Sequence, residues 1–108
     1  MQYLILGYDG ADPEAKQRRY AARSSHLALA DIMAKQGKFL AGAAMLNDAG
    51  DMVGSIIIGE FESRAELDAW LKVEPYVTGK VWERIEITPC RIGPSFQHIL
   101  NVNSNSGD

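Results

Sequence analysis

Two stretches of this chain are apolar on both sides of an extended strand, and nothing else restricts the fold as strongly. Tyr3-Leu4-Ile5-Leu6-Gly7-Tyr8 puts Leu4, Leu6 and Tyr8 on one side and Tyr3 and Ile5 on the other. Val53 to Phe61 repeats the pattern, with Ile56, Ile57 and Ile58 filling both sides. Successive side chains of a strand point to opposite faces, so strands of this kind need apolar cover above and below.

The segments around them supply part of that cover. Asp9-Gly10-Ala11-Asp12-Pro13 ends the first strand with turn residues, and Asp12-Pro13 suits a helix N-cap and first helical position. Residues 13–20 read as a short helical turn or loop. From Ser24 to Gln36 the spacing is helical: His26, Leu29, Ala30 and Met33 fall at i, i+3, i+4 and i+7, and Ile32 widens the stripe. Lys35 and Gly37 mark its end. This reading places His26 on the packed face, near an N-terminal end whose partial positive charge disfavours an imidazolium.

Phe39 to Leu46 is a second strand rich in small residues, which leave room for a close helix or a ligand. Asn47-Asp48-Ala49-Gly50-Asp51 makes a hairpin loop. Ser63-Arg64-Ala65-Glu66 is a capping box opening a second helix, with Leu67, Trp70 and Leu71 on one face. That helix must stop near Val73, because Glu74 precedes Pro75 and is pushed out of the α region. Pro75 opens a further turn through Lys80. Val81 to Cys90 is the last strand, and its cleaner alternation suits a sheet edge.

The order β-α-β-β-α-β predicts an α+β, ferredoxin-like fold: a four-stranded antiparallel sheet with helices on one face. A single domain over 1–95 is expected, followed by a polar tail over 96–108 that is expected to be disordered. The uncovered sheet face is apolar. In a chain of 108 residues its simplest cover is a second copy, so a homodimer packed sheet to sheet is expected.

Composition excludes several partners. The net charge of −3, without a basic stripe, argues against nucleic acid and anionic membranes. No segment reaches the roughly 20 apolar residues that span a bilayer. One cysteine, Cys90, excludes an internal disulfide and suits a reducing compartment, so the cytosol is the expected location.

The chemical inventory is short. There is no Cys/His spacing for zinc and no glycine-rich phosphate loop, so neither metal nor cofactor is expected. What remains is His26, Arg23 one helical turn before it, and Glu74 in Val73-Glu74-Pro75-Tyr76. A carboxylate beside an imidazole orients its tautomer and favours its charged form, which makes His26 and Glu74 a candidate acid–base pair. Arg23 would hold an anionic substrate group, with hydrogen bonds from Ser55 or Tyr76. The alternative is structural: a lone histidine on an apolar helix face is most often a hydrogen-bonded core residue, and Arg23 a surface charge.

A further set of short matches runs in order across the chain to about Ile92. They are Arg23-Ser24-Ser25-His26-Leu27, Gly37-Lys38-Phe39-Leu40-Ala41-Gly42, Gly54-Ser55-Ile56-Ile57-Ile58, Glu60-Phe61-Glu62-Ser63, Glu74-Pro75-Tyr76-Val77 and Val81-Trp82-Glu83. Together they resemble the YciI-like (YCII-related) family of small bacterial proteins, in the dimeric α+β barrel superfamily. The resemblance implies a ferredoxin-like fold, a sheet-to-sheet dimer and a pocket with a His–Asp pair. The histidine carries over to His26 and the arginine to Arg23; the aspartate of the family's Asp-Pro-Tyr motif falls on Glu74, a departure one methylene longer. One relative is a dehydrochlorinase acting on a chlorinated hydroxyhydroquinone, and the superfamily includes muconolactone isomerase.

Two functions are therefore expected to compete. One is a cofactor-independent lyase or isomerase working by His26–Glu74 acid–base chemistry on a small oxygenated compound. The other is a non-catalytic dimeric domain that binds a small ligand or a protein. A cavity beside the imidazole that holds anions or waters favours the first, and a tightly packed ring with no adjacent void favours the second.

Overall fold

The structure, a computed structural model, describes residues 1–97; the polar tail from His98 onward lies outside the described residues. The elements run β1 (Gln2–Asp9), α1 (Ala15–Lys35), β2 (Phe39–Leu46), β3 (Met52–Glu60), α2 (Arg64–Leu71), α3 (Pro75–Thr78) and β4 (Trp82–Cys90). A short 3-10 turn follows at Pro94–Phe96. The four strands form one sheet in the order β2-β3-β1-β4, every pair antiparallel. This is the expected α+β, ferredoxin-like arrangement, with β4 at an edge.

Strand periodicity then divides the apolar residues. Tyr3, Ile5 and Ile57 are buried with Met33 of α1 and Leu67 and Trp70 of α2 in one core, joined by Phe61, Tyr76 and Val81. The intervening residues Leu4, Leu6, Ile56 and Ile58 are only half-buried on the other face, where Leu4 lies opposite Ile58 and Leu6 opposite Ile56.

The first helix differs most from the sequence expectation. It begins at Ala15 rather than Ser24, so residues 15–20 are helix and not a loop. Its inward stripe is Ala15, Arg19, Ala22, His26, Leu29 and Met33, and the stripe is invisible to an apolar count because an arginine occupies its second position. Asp12 is not the cap: Glu14 holds the N-cap position without a side-chain bond, and the Asp12 carboxylate takes Arg18 Nη1 and Nη2 at 2.8 and 2.7 Å. His26 therefore lies in the middle of α1, beyond the reach of the helix N-terminal charge.

The second helix is capped as expected on one side: Ser63 Oγ accepts from the Glu66 N–H at 3.1 Å. The Glu66 carboxylate instead pairs with Lys38. In β4 the expected alternation breaks. Arg84 pairs with Tyr8 but Trp82 pairs with Asp9, so Glu83 is skipped as a bulge. The bulge turns Trp82 to the helix side, over Gly7, where a Cβ would meet the indole at 2.4 Å.

Candidate active site

Glu74 is the residue from which the site is built. It links α2 to α3 in an extended conformation forced by Pro75, and its side chain caps α3 by accepting from the Tyr76 N–H at 3.3 Å. It is completely buried. The oxygen that caps α3, Oε1, also meets His26 Nδ1, while Oε2 accepts from Trp70 Nε1 at 3.1 Å. A buried carboxylate is tolerated only when its lone pairs are occupied, and here both oxygens are.

His26 stacks on Tyr76, with ring centroids 3.9 Å apart and 12° between planes. Its side chain keeps 12% of its surface exposed, so the ring is neither sealed in nor free. That residual surface faces a cavity of about 290 Å³ lined at its polar end by Arg19, Arg23, His26, Ser55 and Tyr76. Phe39, Ala44 and Ile57 are among its apolar walls. The small residues Gly42, Ala43 and Ala44 of β2 make the room for it, as their size suggested.

All five residues singled out from the sequence gather here. Glu74 is not in the cavity lining but bonds His26 and Tyr76, which are, and Arg23 and Ser55 line it directly. Ser55 is buried, and its hydroxyl accepts from Arg19 Nη2 at 3.0 Å and from Trp82 Nε1 at 3.1 Å. Burial pushes the Tyr76 phenol up, against the lowering influence of Arg19 and Arg23.

The sequence reading missed Arg19 and Asp9. Arg19 is 3% exposed; its Nη1 binds both oxygens of Asp9 at 2.9 and 3.0 Å, and its guanidinium carbon lies 4.7 Å from the Tyr76 ring centre. Its Nε is buried with no hydrogen-bond partner among the described residues. Burial raises the Asp9 carboxyl above its ordinary value, and Arg19 holds it down. A signal was present: Arg19, Arg23 and His26 fall at i, i+4 and i+7, one helical face. The signal holds only when α1 starts at Ala15, and the turn residues of Asp9–Pro13 and the charges that follow hide that start from an apolar count.

The fold and this buried His–carboxylate pair define a class, and the chain belongs to the YCII-related domain family, whose model matches residues 1–91. It is 34% identical over 95 residues to Protein YciI of Escherichia coli O6:H1, covering 82% of this chain and 95% of that protein. Protein YciI of Shigella flexneri matches to the same extent. Among solved structures, the chain is similar to 5-chloro-2-hydroxyhydroquinone dehydrochlorinase (TftG) from Burkholderia phenoliruptrix in complex with 2,5-dihydroxybenzoquinone. That likeness has a TM-score of 0.74 and 25% identity, over 88% of this chain and 98% of the other.

Proposed function

We propose that the protein is a small cofactor-independent enzyme of lyase or isomerase type, working by acid–base chemistry at His26. The observation that carries this is the imidazole held by a buried carboxylate on one side and open to a cavity on the other. With Nδ1 donating to Glu74, Nε2 is the nitrogen left with a lone pair. It would take a proton from the substrate, and the electron pair left behind would expel a leaving group or move along a conjugated system. In an isomerisation the imidazolium returns the proton at another atom.

Arg23 would hold the substrate's negative oxygen, with Ser55 and Tyr76 as hydrogen-bonding groups. The cavity volume, near the lower end of the usual ~300–1,000 Å³ range, suits a single small ring. The dehydrochlorinase relative acts on such a ring and supports a hydroxylated aromatic as substrate. A non-catalytic dimeric domain is the competing reading; the open cavity beside His26 weighs against its protein-binding form and suits its small-ligand form equally well.

The functional unit is proposed to be a homodimer in the cytoplasm, formed by the half-buried face of Leu4, Leu6, Ile56 and Ile58. The test is turnover of chlorinated and unchlorinated hydroxyhydroquinones by the parent and by His26→Ala. Loss of about 100-fold or more in the variant, with an unchanged circular dichroism spectrum, is the expected result. An activity that survives the substitution overturns the assignment.

A further inference from the structure

Trp70 looks like an ordinary core residue until its N–H is followed. Its ring packs edge-on against Phe39, at 5.2 Å and 88°, and lies 5.8 Å from Phe61 at 30°. Those contacts account for its burial. They do not account for the indole N–H, which points to Glu74 Oε2 at 3.1 Å and is that oxygen's only hydrogen-bond partner among the described residues. Oε1 is fully engaged elsewhere, by His26 Nδ1 and the Tyr76 N–H.

The division matters because the N–H donors bound to a buried carboxylate fix which oxygen is left to face the imidazole. Tyr76 supplies one backbone donor, and Trp70 supplies the other. We propose that Trp70 is a positioning residue for the His26–Glu74 pair: its indole N–H, bound to Oε2, holds the carboxylate turned so that Oε1 accepts from Nδ1. The proton then resides on Nδ1 and the Nε2 lone pair faces outward.

The other groups acting near the ring cannot replace this donor. Arg19, Arg23 and Asp9 act on Tyr76, on which His26 is stacked, but none of them is bonded to Oε2. Trp82 meets the His26 ring at its edge, 6.5 Å away, and gives its own N–H to Ser55. The use of Nε2 as a base rests on the proposed function, whereas the placement of the proton does not.

The test reads the imidazole directly. In a His98→Gln background His26 is the only histidine, so ¹⁵N-histidine labelling reports its two ring nitrogens alone. Two replacements of Trp70 remove the N–H: Trp70→Phe, and site-specific 3-benzothienylalanine, which keeps the shape of the indole. The parent is expected to show the Nδ1–H tautomer of the neutral ring. Both variants are expected to show a mixture of Nδ1–H and Nε2–H tautomers, because the carboxylate is no longer held in one orientation. Should Trp70→Phe fail to fold, the isosteric replacement decides. Unchanged nitrogen shifts in a folded variant, or an Nε2–H tautomer in the parent, would overturn the proposal. Neither readout depends on turnover, so survival of activity in His26→Ala would sink the catalytic reading and leave this one standing.

Discussion

Glu74 uses a single carboxylate oxygen both to cap α3 and to hold His26. The short helix and the imidazole are thereby fixed to one point, and the same group that stabilises the fold orients the candidate base.

Shared use predicts an ordered cost at position 74. Glu74→Ala removes the cap, strips Trp70 Nε1 of its acceptor and leaves His26 unpaired, and is expected to lower stability by about 3–5 kcal/mol. Glu74→Asp keeps the charge and the cap but draws the carboxylate back from Trp70, at an expected cost of about 1–2 kcal/mol. Urea unfolding of both variants measures the difference. Equal costs would show that a carboxylate at position 74 is not what holds these three partners.

The Asp9–Arg19 pair carries a pH signature of opposite sign to the usual carboxylate. Burial raises folded Asp9 above 3.8, so the folded state binds its proton at a higher pH than the unfolded state does. Its contribution is therefore fully present below the unfolded value and lost as pH rises through the folded one. Asp9→Asn removes this titratable group while keeping the side chain's shape. The stability of the parent relative to the variant should therefore shift in the parent's favour as pH falls towards 3.8. Thermal unfolding of both proteins across that range checks the sign.

Gly7 is a packing requirement. A methyl group there would sit 2.4 Å from the Trp82 ring and must displace it from Ser55. Gly7→Ala is expected to destabilise by about 1–3 kcal/mol and to alter tryptophan emission. Gly42, whose nearest neighbour to an added Cβ is a backbone oxygen at 3.7 Å, is the control that should tolerate alanine better.

Arg23 is exposed and forms no salt bridge among the described residues. Arg23→Gln is thus expected to leave stability within about 0.5 kcal/mol of the parent. Affinity for an anionic ring compound should fall about tenfold or more, which calorimetry would register.

The proposed dimer rests on an apolar sheet face. Ile56 lies directly opposite Leu6 in the β1–β3 ladder, so Ile56→Lys would put a charge at the centre of that face. Sedimentation velocity should show the parent at twice the mass of the chain and the variant at one chain's mass. A monomeric parent would remove the reason given for the apolar open face.

Local chemistry made most of the architecture legible before any coordinates. Alternation placed Ile5 and Leu6 on opposite faces, Ser63 marked the start of α2, and Pro75 forced Glu74 out of the helix; each signal acts within a few residues. The same locality brought His26, Arg23 and Glu74 forward as candidates. Three-dimensional packing decided the rest. Only a neutralising carboxylate 10 residues away in sequence allows Arg19 to take an inward helix position, and apolar periodicity cannot register a buried charge pair. Only the β4 bulge turns Trp82 over Gly7 and onto Ser55. The joining of Glu74 to His26 across 48 residues, with Trp70 behind it, depends on how α1 and α3 settle on the sheet. Hydrogen bonds between residues far apart in the chain are specified by where elements pack, and so the site's partners had to be read from the fold.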